Sequence, residues 1–135
     1  MSDKTNNQVE EIRKLEVVDV YEDLLSKIWA RTSAILGVVT VQAIMKRSIV
    51  ITQPQYPWLG SLEVEADGLQ FSHLKRVLEP ERKAHLKEGF EEIVLQIFDL
   101  LAKLTGEVIV EKLFRDLISP TVGGDRRLAW QRIKS

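Results

Sequence analysis

Residues 34–45 read Ala-Ile-Leu-Gly-Val-Val-Thr-Val-Gln-Ala-Ile-Met, and only Thr40 and Gln42 among them carry polar side chains. A bilayer span needs about twenty apolar residues, so this shorter run is a buried core helix rather than a membrane anchor. The competing reading is a short strand, because Val38, Val39, Thr40 and Val41 are β-branched and follow Gly37. The flanks favour helix: apolar residues recur at Tyr21, Leu24, Leu25, Ile28, Ile35, Val39, Ala43 and Val50 in three-and-four spacing. One helix is expected over residues 20–51, opened by Asp19 and Glu22 as a capping-box-like pair, with Gly37 marking a kink or a close helix crossing. A helix apolar on all sides has to be covered on several of them, which about three long helices do poorly within one chain. A homodimer packed through this segment is therefore expected.

Before this helix, residues 1–8 read as a flexible polar lead-in and residues 9–15 as two helical turns. After it, Pro54, Pro57 and Gly60 make residues 53–60 a loop, and Leu62, Val64, Leu69 and Phe71 alternate about Ala66-Asp67-Gly68 as a small hairpin. A short helix over residues 72–78 follows. Pro80 suits the first turn of a second long helix, where its missing N–H costs nothing. Leu86, Phe90, Ile93, Val94, Ile97, Leu101 and Leu104 form one apolar stripe there, and Val108, Ile109, Leu113, Phe114 and Leu117 restart it beyond Gly106. Unbroken, that helix would run about 39 residues and roughly 60 Å, too long for a domain of this size. A break at Thr105-Gly106-Glu107 is expected. The fold class is thus all-α, a bundle of about three to five helices with one small β-hairpin. A single domain spans residues 9–118, and a basic tail, residues 119–135, carries Arg126, Arg127, Arg132 and Lys134 against Asp125. No internal repeat or low-complexity tract is recognised.

Composition narrows the function. At 135 residues with 44% hydrophobic side chains, the chain buries a core without help from metals or cross-links. It has no cysteine, which excludes disulfides, thiolate metal sites and a thiol nucleophile and fits a reducing compartment. Its 19 Lys plus Arg against 20 Asp plus Glu leave a formal net charge of -1, which argues against general nucleic-acid binding. The first twenty residues hold no apolar signal region, and a cytoplasmic location is expected.

Tests for chemistry return little. Glu63-Val64-Glu65-Ala66-Asp67-Gly68 resembles the start of a calcium loop, but the twelfth position, where a bidentate Glu is required, is Leu74. His73 and His85 lack zincin spacing and sit beside lysines and arginines as surface histidines do. No nucleophile elbow or phosphate-binding glycine loop occurs. Glu111 and Arg115 form an ordinary i,i+4 pair near Glu107 and Lys112. No catalytic residue, cofactor or metal is assigned.

The polar residues within the first long helix are the better candidates. Arg31, Thr32, Gln42 and Lys46, with Thr105 and Glu107 at the expected break, are read as a small pocket for an anionic or amide-bearing ligand. The alternative is structural: Thr32 and Thr40 bond to backbone, Gln42 bridges helices, and Arg31 and Lys46 snorkel. Of the aromatic residues, Trp29 is assigned to the core, Tyr56 and Trp58 are expected to cover the loop against it, and Trp130 to dock on a partner or on the domain.

Trp29-Ala30-Arg31-Thr32 through Ile35-Leu36-Gly37, the Tyr56-Pro57 loop before the acidic hairpin, and Leu104-Thr105-Gly106-Glu107 resemble an uncharacterised helical module that accompanies prokaryotic signalling proteins. The similarity covers roughly residues 24–117. It implies a sensory or adaptor role and transfers no catalytic residue. The functional expectation is a non-catalytic regulatory, sensory or adaptor module that binds a small ligand or a protein signalling partner. A small helical-bundle enzyme, or a weak nucleic-acid binder acting through the tail, is the alternative.

Overall fold

No glycine or proline precedes Gly37, and the first helix, α1, accordingly runs unbroken over Ser2–Leu36. It begins well before Asp19, and the residues read as a lead-in are its first turns. The computed structural model describes residues 2–78 and 83–118. The expectations for Pro80, Trp130 and the basic tail lie outside those residues. One buried line follows α1 through Lys14, Val18, Tyr21, Leu25, Ile28 and Thr32, spaced alternately by four and three. Lys14 occupies a core position in this line because its ammonium donates to the Leu78 carbonyl at 3.2 Å and pairs with Glu11 at 2.8 Å.

The single helix expected over residues 20–51 is two helices. Gly37 stands at φ 85° and ψ 156°, far from helical values, and ends α1. Its N–H donates to the Ser33 carbonyl, and its own carbonyl accepts from Val41 as α2, Val38–Thr52, begins. The β-branched run is therefore helix rather than strand. Nor is the 34–45 segment covered all round: α2 buries Val41, Ile44, Met45, Ser48, Ile49 and Thr52, while Ile35, Val38 and Val39 stay exposed.

A 3₁₀ turn at Pro57–Ser61 leads into the hairpin of β1, Glu63–Glu65, and β2, Gly68–Gln70. Pairing of Glu65 with Gly68 leaves Ala66 and Asp67 as the turn, and Gly68 opens β2 at φ 140°. The short helix α3, Ser72–Arg76, precedes α4, Lys83–Thr105, whose buried stripe runs from Leu86 through Phe90, Ile93, Ile97 and Phe98 to Leu101. Gly106, at φ 90° and ψ 165°, breaks the chain again, and α5, Glu107–Leu113, ends in a π turn at Phe114–Ile118. The fold is thus an all-α bundle with one small hairpin. Among the described residues no helix is long and apolar enough to cross a membrane.

Contacts fix the directions of the helices. Tyr21 stacks on Phe90 at 5.0 Å, and Thr32, Ile35 and Leu36 meet Leu101 and Thr105, so α1 and α4 run the same way. From the shared end, α2 returns along α4 and delivers Tyr56 and Trp58 to His85 and Phe90. These two aromatics therefore cover the start of α4 and pack on the same core as Trp29. Gly89 makes this contact: a Cβ there would run into the Trp58 ring, 2.9 Å from Cη2. The α5 limb returns along α1, bringing Asp116 within 3.8 Å of Arg31.

At both Gly37 and Gly106 an added Cβ meets nothing within 4 Å, yet their backbone conformation is one that only glycine adopts easily. Gly37→Ala and Gly106→Ala are each expected to cost about 1–3 kcal/mol in urea unfolding, from backbone strain without any clash. Gly89→Ala loses a similar amount for the opposite reason, an overfilled contact with Trp58.

Candidate functional site

Two threonines approach one another where α1 and α4 end. The Thr32 hydroxyl donates to the Ile28 carbonyl at 2.6 Å, and that of Thr105 to the Leu101 carbonyl at 2.8 Å. Each bond satisfies the hydroxyl within its own helix, which lets a polar residue occupy an inward position. Thr32 and Thr105 line one small cavity with Ile35, Leu36, Leu101, Ile109 and Leu113. Its volume of about 10 Å³ is room for a single water molecule rather than an organic ligand.

The other four candidates do not line this cavity. Arg31 is exposed and faces Asp116, an arrangement worth at most about 1 kcal/mol at such exposure. Gln42 is half-buried and Lys46 exposed on α2, and neither has a side-chain partner among the described residues. Glu107 is exposed at the start of α5. Thr32 and Thr105 thus come together in space, whereas Arg31 and the Gln42–Lys46 pair belong to separate limbs of a reversed chain.

Elsewhere the titratable groups are dispersed. Among the described residues no group of three or more His, Asp or Glu side chains gathers as a metal site. Glu63, Glu65 and Asp67 are exposed on the hairpin, as is His73 at α3. His85 is half-buried, with Tyr56 at 5.2 Å and Trp58 at 6.4 Å between ring centroids. The Trp58 indole N–H beside it is buried without a hydrogen-bond acceptor among the described residues. Among the described residues Tyr21 is the group with a marked shift: burial raises its phenol above the ordinary range, and the carboxylate of Glu91 adds to the effect.

No family model, curated protein or solved structure matches the chain.

A feature absent from the candidate set surrounds the threonine cavity. Ile35, Val38 and Val39 on one corner and Leu104, Val108 and Ile109 on the other are exposed aliphatic side chains at the same end of the bundle. The signal in the sequence is the likeness of Gly37-Val38-Val39-Thr40-Val41 to Gly106-Glu107-Val108-Ile109-Val110, a short repetition that scanning for full-length repeats passes over.

Tyr21 gives a pH prediction. The unfolded chain releases this proton near pH 10, while the folded chain holds it to higher pH. The folded state binds more protons above that point, so stability is complete below about pH 10 and falls as pH rises further. Tyr21→Phe, which keeps the stack on Phe90, is expected to flatten the loss of melting temperature between pH 9 and about pH 11. Thermal melts followed by circular dichroism measure it.

Proposed function

We propose that the chain is a non-catalytic regulatory or adaptor module of a cytoplasmic signalling system, acting by association rather than turnover and working as a homodimer. The observation that carries this reading is the aliphatic end of the bundle, where six large side chains on two corners stay exposed. Catalysis asks for titratable groups from several elements converging on a concave site. Here the charge pairs of Lys27 with Asp23, Lys75 with Glu22 and Lys103 with Asp99 lie on partly or largely exposed surface. The likeness of residues 29–37 and 104–107 to a module found beside signalling proteins points the same way.

The second reading is recognition of a small anionic or amide-bearing ligand by Arg31, Thr32, Gln42, Lys46, Thr105 and Glu107. It is favoured by the donors of Gln42 and Lys46, which have no side-chain partner among the described residues. Binding in this reading is at the surface.

Thermal-shift measurements with inorganic phosphate and a panel of small carboxylates and amides separate the two. The adaptor reading expects no compound to raise the melting temperature by more than about 1 °C at millimolar concentration. A larger rise that disappears in Gln42→Ala or Lys46→Ala, with the unliganded melting temperature unchanged, replaces it with the ligand reading.

A further inference from the structure

We propose that the first turns of α1 are a strap fastened to α3 and to the start of α4. Strap and α3 open together as one unit while the rest of the bundle stays folded. Three polar ties carry this inference. The Lys75 ammonium on α3 donates to the Glu22 carboxylate at 2.9 Å, the Lys14 ammonium to the Leu78 carbonyl at 3.2 Å, and the Lys83 N–H to the Glu10 carboxylate at 3.1 Å. As the chain advances from Lys75 through Leu78 to Lys83, its partners step backwards along α1 from Glu22 through Lys14 to Glu10. One helix thus grips the chain on both sides of the point where α3 gives way to α4.

Packing explains why these ties govern an opening. The buried line of α1 begins at Lys14, and none of the side chains from Gln8 to Arg13 is buried. That stretch contributes nothing to the core. α3 is five residues long, and Leu74 is its one buried side chain. A helix so short has no stability of its own. Each segment therefore depends on the other through Lys14, whose side chain is 3% exposed. Segments with few buried apolar contacts and solvent-exposed hydrogen bonds open at a lower free energy than the whole domain. The neighbouring core is of the other kind: Tyr21 stacks on Phe90, and Ile93, Ile97, Phe98 and Leu101 are buried along α4. Opening lifts α3 from the 3₁₀ turn on which it packs, uncovers Leu74 and Leu78, and releases the Lys14 cation to solvent. The module thereby gains an apolar and positively charged face without losing its bundle.

Hydrogen exchange of the full-length chain, followed amide by amide by NMR, tests this. The amides of residues 8–13 and those of Lys75 and Val77 are expected to share one opening equilibrium, reached far more often than that of residues 93–101. Lys14→Met keeps the aliphatic stem and removes the ammonium. It is expected to speed exchange in both segments by the same factor, about tenfold or more, as loss of a hydrogen bond to a charged group does. Glu22→Ala is the sharper variant, because its tie is to α3 and it lies more than two turns from residues 8–13. Both segments are nevertheless expected to speed up, by about two- to fivefold. Should Lys14→Met fail to fold, Glu10→Ala takes its place with the same joint acceleration expected. Acceleration of one segment alone, in any of these variants, overturns the coupled unit. Wild-type protection in the two segments equal to that of residues 93–101 overturns it too, because they then open only when the whole domain unfolds.

Discussion

The backbone at Gly37 and Gly106 turns through a region of positive φ that side chains resist, and the rest of the bundle is arranged around those two turns. Each corner is one residue long. A single residue gives a departing helix little freedom, so α2 and α5 have to return along the helices they leave, and the apolar stripe of α4 is enclosed by limbs connected at one end. The same shortness leaves no polar loop to cap that end. Aliphatic residues adjacent to the turn are presented outward because the helices begin and finish there.

The opposite end is organised differently. There the connection between α2 and α4 is long enough to contain a 3₁₀ turn, a hairpin and α3, and it closes the core with aromatic rings. Trp58 fits edge-on against Phe90 only because position 89 has no side chain. Lys14 ties the N-terminal part of α1 to the end of the α3 region through a backbone carbonyl, a use of lysine that needs its aliphatic stem in the core and its ammonium at the edge. This end is thus closed by specific shapes and a buried cation, with Val9, Ile12 and Leu15 exposed on α1 beside it, while the corner end presents Ile35, Val39, Leu104 and Val108.

What the sequence disclosed depended on whether the signal was local. The α4 stripe was plain because its period is uninterrupted, and the break at Gly106 followed from length alone. The hairpin followed from alternation around Asp67-Gly68. Gly37 was harder, since apolar residues on both sides hide the change of helical phase that a reversal produces. That misreading carried into the candidate site: on one continuous helix Arg31, Gln42 and Lys46 share a course, whereas on two limbs they diverge. Thr32 and Thr105 line one cavity because both lie close to the corners. Residues 2–8 were missed as helix because all of them are polar and carry no apolar period. The partners of Tyr56 and Trp58 were missed because a contact with residues 85–90 has no local trace.

Three buried hydroxyls and one half-buried hydroxyl have a mechanical consequence. Thr32, Ser48, Thr52 and Thr105 each donate to a carbonyl one turn earlier in the same helix. None of these bonds stitches one helix to another, so the hydroxyls do not pin the sliding coordinate between helices. Along α1, α2 and α4 the register rests chiefly on the fit of aliphatic and aromatic side chains, which has neighbouring minima separated by small displacements. A load applied at the corner end is therefore passed down the bundle as shear of whole helices, with each helix keeping its own hydrogen bonds throughout.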